Sequence, residues 1–254
     1  MGTTQSKIQV VVLAAGQGKR MGLPDLPKVL VPFRGKPLIE YLLEAVAASE
    51  VCAKPVIVVG QKADKVRAVL GPGFTYIFQT EQLGTGHAVA CTQAELEDRA
   101  ENIMVLYGDH PLITVSTIKQ LADTHLRQGA VITMATVKLP DFGDWRQTFS
   151  AFGRVLRGQD GQLLDIVESK DATEEQLASV EVNPAYYCFR AEWLWQHLTE
   201  LGNNNAQKEF YLTDLIGLAR KRGEAISTID INPCEALGVN TADQLELISL
   251  VSKR

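Results

Sequence analysis

Short β-branched runs alternate with longer amphipathic stretches between residues 8 and 137. This alternation predicts an α/β fold built on an open, doubly wound, mostly parallel sheet with helices on its faces. Two further observations support that class. Parallel βαβ units close almost always with a right-handed crossover, and the first strand runs directly into a glycine-rich turn, the kind of strand end at which such sheets take ligands.

The strands expected from the pattern are 8–13, 55–59, 74–78, 103–107 and 130–137. Helices are expected over 37–48, 63–70, 85–96 and 115–127, the first of them gathering Leu38, Tyr41, Leu42 and Val46 on one face. After Pro140 the pattern changes. Two runs, 152–157 and 163–167, flank Gly158-Gln159-Asp160-Gly161 and read as an inserted antiparallel hairpin. A strand (180–189), a helix (191–201), an Asn-rich loop (203–207), a helix (212–222), a strand (225–231) and a last helix (242–252) complete the chain. Neither a linker nor an internal repeat interrupts it, so one domain spanning 1–254 is expected.

The 25 Lys and Arg against 30 Asp and Glu give a net charge of −5, which excludes a nucleic-acid binder held by a basic surface. No run of about 18 apolar residues exists, and residues 1–9 lack the apolar core of a signal peptide, so a cytoplasmic protein without a membrane partner is expected. The cysteines form no CxxC and the histidines no HxxxH, which argues against a structural zinc site or a disulfide framework.

The chemistry starts at Leu13-Ala14-Ala15-Gly16-Gln17-Gly18-Lys19-Arg20-Met21. Small residues after a strand let backbone N–H groups approach a polyanion. The dinucleotide pattern GxGxxG fails here, because Met21 stands where its third glycine belongs and the second strand ends in Gly60-Gln61 without an acid. GxxxxGK[ST] is absent as well. The segment from Ala14 to Lys36 has no helical pattern, and open stretches longer than about 12–15 residues in compact domains usually carry function. Arg20 and Lys28, with Pro24 and Pro27 between them, suit a triphosphate and a second phosphorylated substrate. A surface loop with solvated charges is the plain alternative. Asp109 follows the strand 103–107 and therefore stands at the carboxyl edge of the sheet.

Residues 13–21, followed by Leu26-Pro27-Lys28-Val29-Leu30, resemble the signature of sugar-nucleotide pyrophosphorylases. Further segments are similar to the uridylyltransferase domain of the N-acetylglucosamine-1-phosphate uridyltransferase family. They are Gln79 with 81–88, 106–109 with 111–113, 168–173, 203–207 with 211–214, and Gly238-Val239-Asn240, in that order over nearly the whole chain. The resemblance implies a Rossmann-like, GT-A-like nucleotidyltransferase in which 1–139 bind the nucleotide and 140–254 bind the sugar and complete the metal site. It implies UTP and N-acetylglucosamine 1-phosphate as substrates and Mg²⁺ as cofactor. Bifunctional members continue into a β-helix of hexapeptide repeats that carries an acetyltransferase. None occurs before Arg254, so acetyl transfer is not expected and a separate acetyltransferase partner is left open.

By the same resemblance Arg20, Lys28 and Asp109 are catalytic, and Asp109 and Asn240 hold the metal. The backbone of Leu13, Ala14, Ala15, Gly16 and Gly18 meets the phosphates. Gln79, Gln82, Gly84 and Thr85 recognise the base, with Tyr107 and Gly108 bordering the same cleft. Gly153, Glu168 and Asn183 face the sugar, and Tyr211 and Thr213 close the rim. One carboxylate and one amide oxygen make a sparse metal site, of the kind that leaves room for waters and phosphate oxygens. Trp193, Trp195 and His197 read as helix packing, and Arg220-Lys221-Arg222 as a helix end complementing its dipole.

The sequence departs from the family pattern at Lys19, in place of a threonine, in a longer spacing between Arg20 and Lys28, and at Pro184-Ala185 after Asn183, where a small hydroxyl residue and glycine are usual. The last departure keeps open transfer to a different sugar phosphate. A catalytically silent sugar-nucleotide-binding protein is the reading from another class.

Overall fold

The computed structural model describes residues 6–16, 18, 21–23 and 25–252. Its elements begin with β1 (Ser6–Ala14), the two-residue strands β2 (Pro32–Phe33) and β3 (Lys36–Pro37), α1 (Leu38–Ser49), β4 (Val56–Val59), α2 (Ala63–Leu70) and β5 (Thr75–Phe78). Then come α3 (Thr85–Ala90), α4 (Gln93–Leu96), β6 (Ala100–Tyr107), α5 (Val115–Gln128) and β7 (Ile132–Lys138). The remainder is β8 (Gly153–Arg157), β9 (Leu163–Val167), α6 (Glu174–Leu177), β10 (Glu181–Asn183), β11 (Tyr187–Arg190), α7 (Ala191–Leu198), α8 (Asp214–Lys221), β12 (Ile226–Asp230) and α9 (Ala242–Val251).

One ten-stranded sheet runs β5-β4-β1-β6-β11-β7-β10-β8-β9, with β12 beside β7. The strands β5, β4, β1 and β6 are mutually parallel, β12 is parallel to β7, and the ladders through β11, β10, β8 and β9 are antiparallel. Val10 and Val12 of β1 and Met104 and Leu106 of β6 enter the core on one face, with Leu42 and Ile118 from the helices. Val11, Leu13, Ile103 and Val105 enter the core on the other, with Trp193 and Leu194 of α7. A strand alternates its side chains across the sheet, so burial on both faces requires the unbroken apolar runs that made these strands readable.

Three expectations need correction. The single helix over 85–96 divides into α3 and α4 at Thr92, whose N–H turns back three residues to the Val89 carbonyl at 2.9 Å while its buried hydroxyl donates to the same oxygen at 2.7 Å. The single strand over 180–189 divides into β10 and β11: residues 183–186 stand opposite only 135–136 of β7, a bulge of two. Pro184 has no N–H to give the ladder and Ala185 sits at φ 65°, in the left-handed region. The loop after β1 is not open to Lys36, since it contains a 3-10 turn over Lys28–Leu30 and the β2–β3 hairpin.

None of the four cysteines is in a disulfide. Among the described residues no helix is long and apolar enough to cross a membrane.

The helix α5 is pinned to the sheet by a buried polar relay. Asn102 gives its Nδ2 hydrogen to the Lys7 carbonyl at 2.7 Å, so its Oδ1 accepts from His125 Nε2 at 3.0 Å. His125 Nδ1 then accepts from the Thr133 hydroxyl at 2.9 Å. Burial first, and the Arg190 charge second, lower the His125 pKa to about 4. An imidazole free in the unfolded chain titrates near pH 6.5. Between about pH 6.5 and pH 4 the unfolded state therefore binds the proton that the fold refuses, and stability falls as pH falls through that window, by up to about 3 kcal/mol. Urea unfolding across the window should show this acid slope in the wild type and a smaller one in His125→Gln; equal slopes contradict the assignment.

Candidate functional site

The carboxyl ends of β1 and β6 lie side by side, Leu13 opposite Tyr107, and the chain leaves both toward the same edge. A cleft of about 230 Å³ opens there. Leu13, Ala15 and Gly16 form one wall, Gln79, Gln82, Gly84 and Thr85 another, and Lys28, Tyr107 and Asp109 the floor.

The second wall is held by main-chain bonds. Gln79 follows β5 and gives its N–H to the Val59 carbonyl at 2.8 Å. Gln82 reaches across the cleft, its Nε2 donating to the Ala15 carbonyl at 2.5 Å. The turn into α3 is stitched to residues 210–212: Phe210 N–H donates to Leu83 O and Gly86 N–H to Phe210 O, both at 2.8 Å, while Leu212 N–H donates to the Thr85 hydroxyl at 3.0 Å. Gly84 has φ 106°, and a Cβ there would come within 2.6 Å of the Phe210 carbonyl oxygen. Both facts demand glycine.

The charged centre joins residues far apart in sequence. Lys28 Nζ lies 2.5 Å from Asp109 Oδ2 and donates to Asn240 Oδ1 at 2.9 Å. The Asp109 carbonyl accepts from Val239 N–H at 3.0 Å, which sets the segment before α9 against the end of β6. Gln244 of α9 accepts from Asn240 N–H at 2.7 Å and donates to the Thr148 hydroxyl at 3.0 Å. Burial works to raise the Asp109 carboxyl, but the Lys28 charge dominates with its neighbours and holds the group below the usual carboxylate range. Next to it burial lowers the pKa of His110, against the opposing pull of the Asp109 charge. Tyr186 donates to the Glu235 carbonyl at 2.8 Å, so its hydroxyl oxygen accepts from His110 Nδ1, also at 2.8 Å.

On the other side of Asn240 lies a second cleft of about 240 Å³, whose lining includes Glu168, Lys170, Gln207, Asn240 and Gln244. Burial, with the nearby Asp214, Asp171 and Glu209 carboxylates, raises the Glu168 carboxyl against the opposing bond from the Thr213 hydroxyl at 3.1 Å. Gly153 passes close to it: a Cβ there would lie 3.5 Å from both carboxylate oxygens.

The structure therefore brings Leu13, Ala15, Gly16, Lys28, Gln79, Gln82, Gly84, Thr85, Tyr107 and Asp109 together, with Glu168 and Asn240 around the second cleft. Ala14, Gly18, Gly108 and Asn183 are not among the lining residues of either cleft. Ala14 points into the core, Gly108 packs over Val29 and Ile39, and Gly18 rests against the Lys28 backbone. Asn183 turns inward, donating to the Tyr187 hydroxyl at 2.6 Å and accepting from Ala185 N–H at 2.9 Å. Arg20 and Lys19 lie outside the described residues. Sequence reasoning missed Glu209 and Val29 in the first cleft and Thr148 and Gln244 in the second. Glu209 sits beside the Asn-rich segment that was singled out, whereas Gln244 carried no signal, being one polar residue on a helix.

The donor set fits a small divalent cation. A carboxylate oxygen and an amide oxygen, both hard donors, already converge on one cationic group, the Lys28 ammonium. Among the described residues no cluster of three or more His, Cys, Asp or Glu offers a competing site.

A parallel sheet edge with a glycine loop, a lysine and a cation-gathering acid defines a nucleotidyltransferase-like α/β protein. The fold is shared with the crystal structure of a UDP-glucose pyrophosphorylase complexed with UDP-glucose, at TM-score 0.77 and 19% identity over 96% of this chain and 98% of that one. It is also shared with a putative glucose-1-phosphate thymidylyltransferase from Bacillus anthracis, at TM-score 0.75 and 16% identity over 97% and 96%. The chain belongs to the MobA-like NTP transferase domain family, whose model matches residues 10–211. It is 44% identical over 241 residues to the bifunctional protein GlmU of Brevibacillus brevis, covering 94% of this chain and 50% of that protein. To the bifunctional protein GlmU of Shouchella clausii it is 45% identical over 231 residues, covering 91% and 49%. The chain thus spans about half the length of these curated relatives.

Because Gly84 meets two steric constraints at once, Gly84→Ala is expected to cost about 2 kcal/mol, lowering the thermal midpoint by about 5 °C. A midpoint within about 1 °C of wild type contradicts the close approach to Phe210.

Proposed function

We propose that this chain is a Mg²⁺-dependent uridylyltransferase that converts UTP and N-acetyl-α-D-glucosamine 1-phosphate to UDP-N-acetylglucosamine and pyrophosphate. The observation that carries the reading is the meeting of Lys28, Asp109 and Asn240 where the first cleft adjoins the second. Similarity to GlmU proteins over nearly the whole chain supports the choice of substrates.

In this reaction a non-bridging oxygen of the sugar phosphate bonds to the α-phosphorus of UTP. The bond from that phosphorus to the oxygen bridging the β-phosphate breaks, and the electron pair leaves on pyrophosphate. The attacking oxygen is already anionic at neutral pH, so no side chain has to remove a proton. The demand on the protein is electrostatic: two polyanions must be held together and the leaving charge neutralised. Asp109 and Asn240 are the residues that would hold Mg²⁺, which supplies charge neutralisation at the phosphates when bound. Lys28 contributes a fixed cation, Arg20 a second by family resemblance, and the backbone at Ala15 and Gly16 a polar wall. Gln79, Gln82, Gly84 and Thr85 bound the base end, and Glu168, with Gly153 close beside it, the sugar end.

A second reading keeps the chemistry and changes the sugar. It is favoured by Ala185, which brings a methyl and a left-handed backbone two residues after Asn183 and donates its N–H to the Asn183 side chain.

Pyrophosphate release from UTP with Mg²⁺ should be seen with N-acetylglucosamine 1-phosphate and be weaker with glucose, N-acetylgalactosamine and glucosamine 1-phosphates. Preference for another sugar moves the assignment to the second reading, and silence with all of them removes both. Asp109→Asn, which keeps the side-chain shape but not the charge, should reduce turnover by about a hundredfold or more with an unchanged circular dichroism spectrum. Near wild-type turnover would sink the metal-holding role of Asp109.

A further inference from the structure

Gln79 lines the first cleft, and a side-chain amide there could offer a ligand either a donor or an acceptor. The structure leaves it one choice. The amide atom nearest the Gly84 carbonyl lies 3.2 Å from it. A carbonyl only accepts, so that atom is the amide nitrogen, Nε2. The same Nε2 lies 3.1 Å from His87 Nδ1. His87 Nδ1 must then carry a lone pair, which places the ring proton on Nε2, on the side of Cys91 Sγ at 3.9 Å. Both hydrogens of the Gln79 amide are therefore committed to acceptors on the turn into α3. Oε1 takes part in neither bond and is the polar atom of Gln79 left for a ligand.

We infer that His87 is a specificity-determining positioning residue. The Gly84 carbonyl sets the orientation of the Gln79 amide and His87 Nδ1 holds its second hydrogen, so the oxygen is the group left for a base, and the site selects a pyrimidine bearing a ring N–H at position 3 over one bearing a lone pair there. Uracil and thymine present that N–H. Cytosine presents a lone pair, which would face the Gln79 oxygen acceptor to acceptor. The inference rests on the uridylyl-transfer reading and deepens it, since it gives a physical origin for preferring UTP to CTP. The described contacts of the His87 ring are with Gln79 at Nδ1 and Cys91 at Nε2. It acts through Gln79 and not on the reacting atoms.

The His87–Gln79 bond is one of two that fix the amide. Its loss is expected to reduce the ratio of UMP to CMP affinity by about tenfold, the scale of a single buried hydrogen bond. The experiment is titration calorimetry of UMP and CMP against wild type, His87→Phe and His87→Leu, together with kcat and KM for UTP and CTP. The expected result is a collapse of the UMP:CMP ratio in either folded variant, with the loss for UTP falling mainly on KM. A folded variant with the wild-type ratio overturns the inference. A measurement on the wild type stands even where neither variant folds: N3-methyl-UMP, which lacks the ring N–H, should bind at least about tenfold more weakly than UMP. Equal binding of the two overturns the inference. Absence of pyrophosphate release from every nucleotide would defeat the transfer reading instead, and the mononucleotide affinities would still report on His87 and Gln79.

Discussion

The Lys28 ammonium, held between Asp109 and Asn240, is the contact on which the arrangement of the site depends. It and its two partners belong to three separate parts of the chain, Lys28 and Asn240 being 212 residues apart. Asp109 is almost fully buried, and a buried carboxylate without a partner would cost several kcal/mol. The pair can exist only if the glycine loop, the end of β6 and the start of α9 arrive at one point. Each arrival has its own cause: the Val239–Asp109 main-chain bond, the Gln244 bonds around Asn240, and the 3-10 turn that presents Lys28.

The sheet turns this local requirement into a geometry. Parallel β1 and β6 release their chains at the same edge, so the glycine loop and Asp109 become neighbours without any side-chain choice. The antiparallel strands then carry the second cleft. The two-residue bulge at Pro184-Ala185 lets one length of chain follow β7 in both β10 and β11, and it leaves Asn183 bonded to Tyr187 across the bulge.

What was legible in the sequence follows from this division. The strands β1, β4, β6 and β7 were readable because burial on both faces writes an unbroken apolar run, and Asp109 was readable because it stands just past such a run. The second wall of the first cleft was readable through the family resemblance, because Gln79 and residues 81–85 lie close enough in sequence to form a motif. The break between α3 and α4 was hidden, since it lies where Thr92 turns back to the Val89 carbonyl. The split of the 180–189 strand was marked by Pro184, yet the apolar alternation on either side of it was the stronger signal. Thr148 and Gln244 were hidden for a different reason. They meet across 96 residues, and no local pattern distinguishes them from other surface polar groups.

The chain carries a net charge of −5, and the proposed substrates are polyanions, so the distribution of charge matters more than its sum. Positive charge stands at the junction of the clefts, in Lys28, and at the second cleft's rim, in Lys170, whose Nζ donates to Gln207 Oε1 at 2.6 Å. Negative charge gathers beyond Glu168, where Asp165, Asp171 and Asp214 crowd one another. Burial and these neighbours lift the Asp214 carboxyl to about 6. A sugar phosphate in the second cleft would face carboxylates at one end and an ammonium at the other. Phosphate is repelled by the first and attracted by the second, while sugar hydroxyls donate well to carboxylates. On the proposed reaction this contrast would favour a pose with the phosphate toward the Lys28 end of the second cleft. An acid-rich protein can handle anionic substrates on these terms, because its carboxylates supply the direction and a few cations supply the hold.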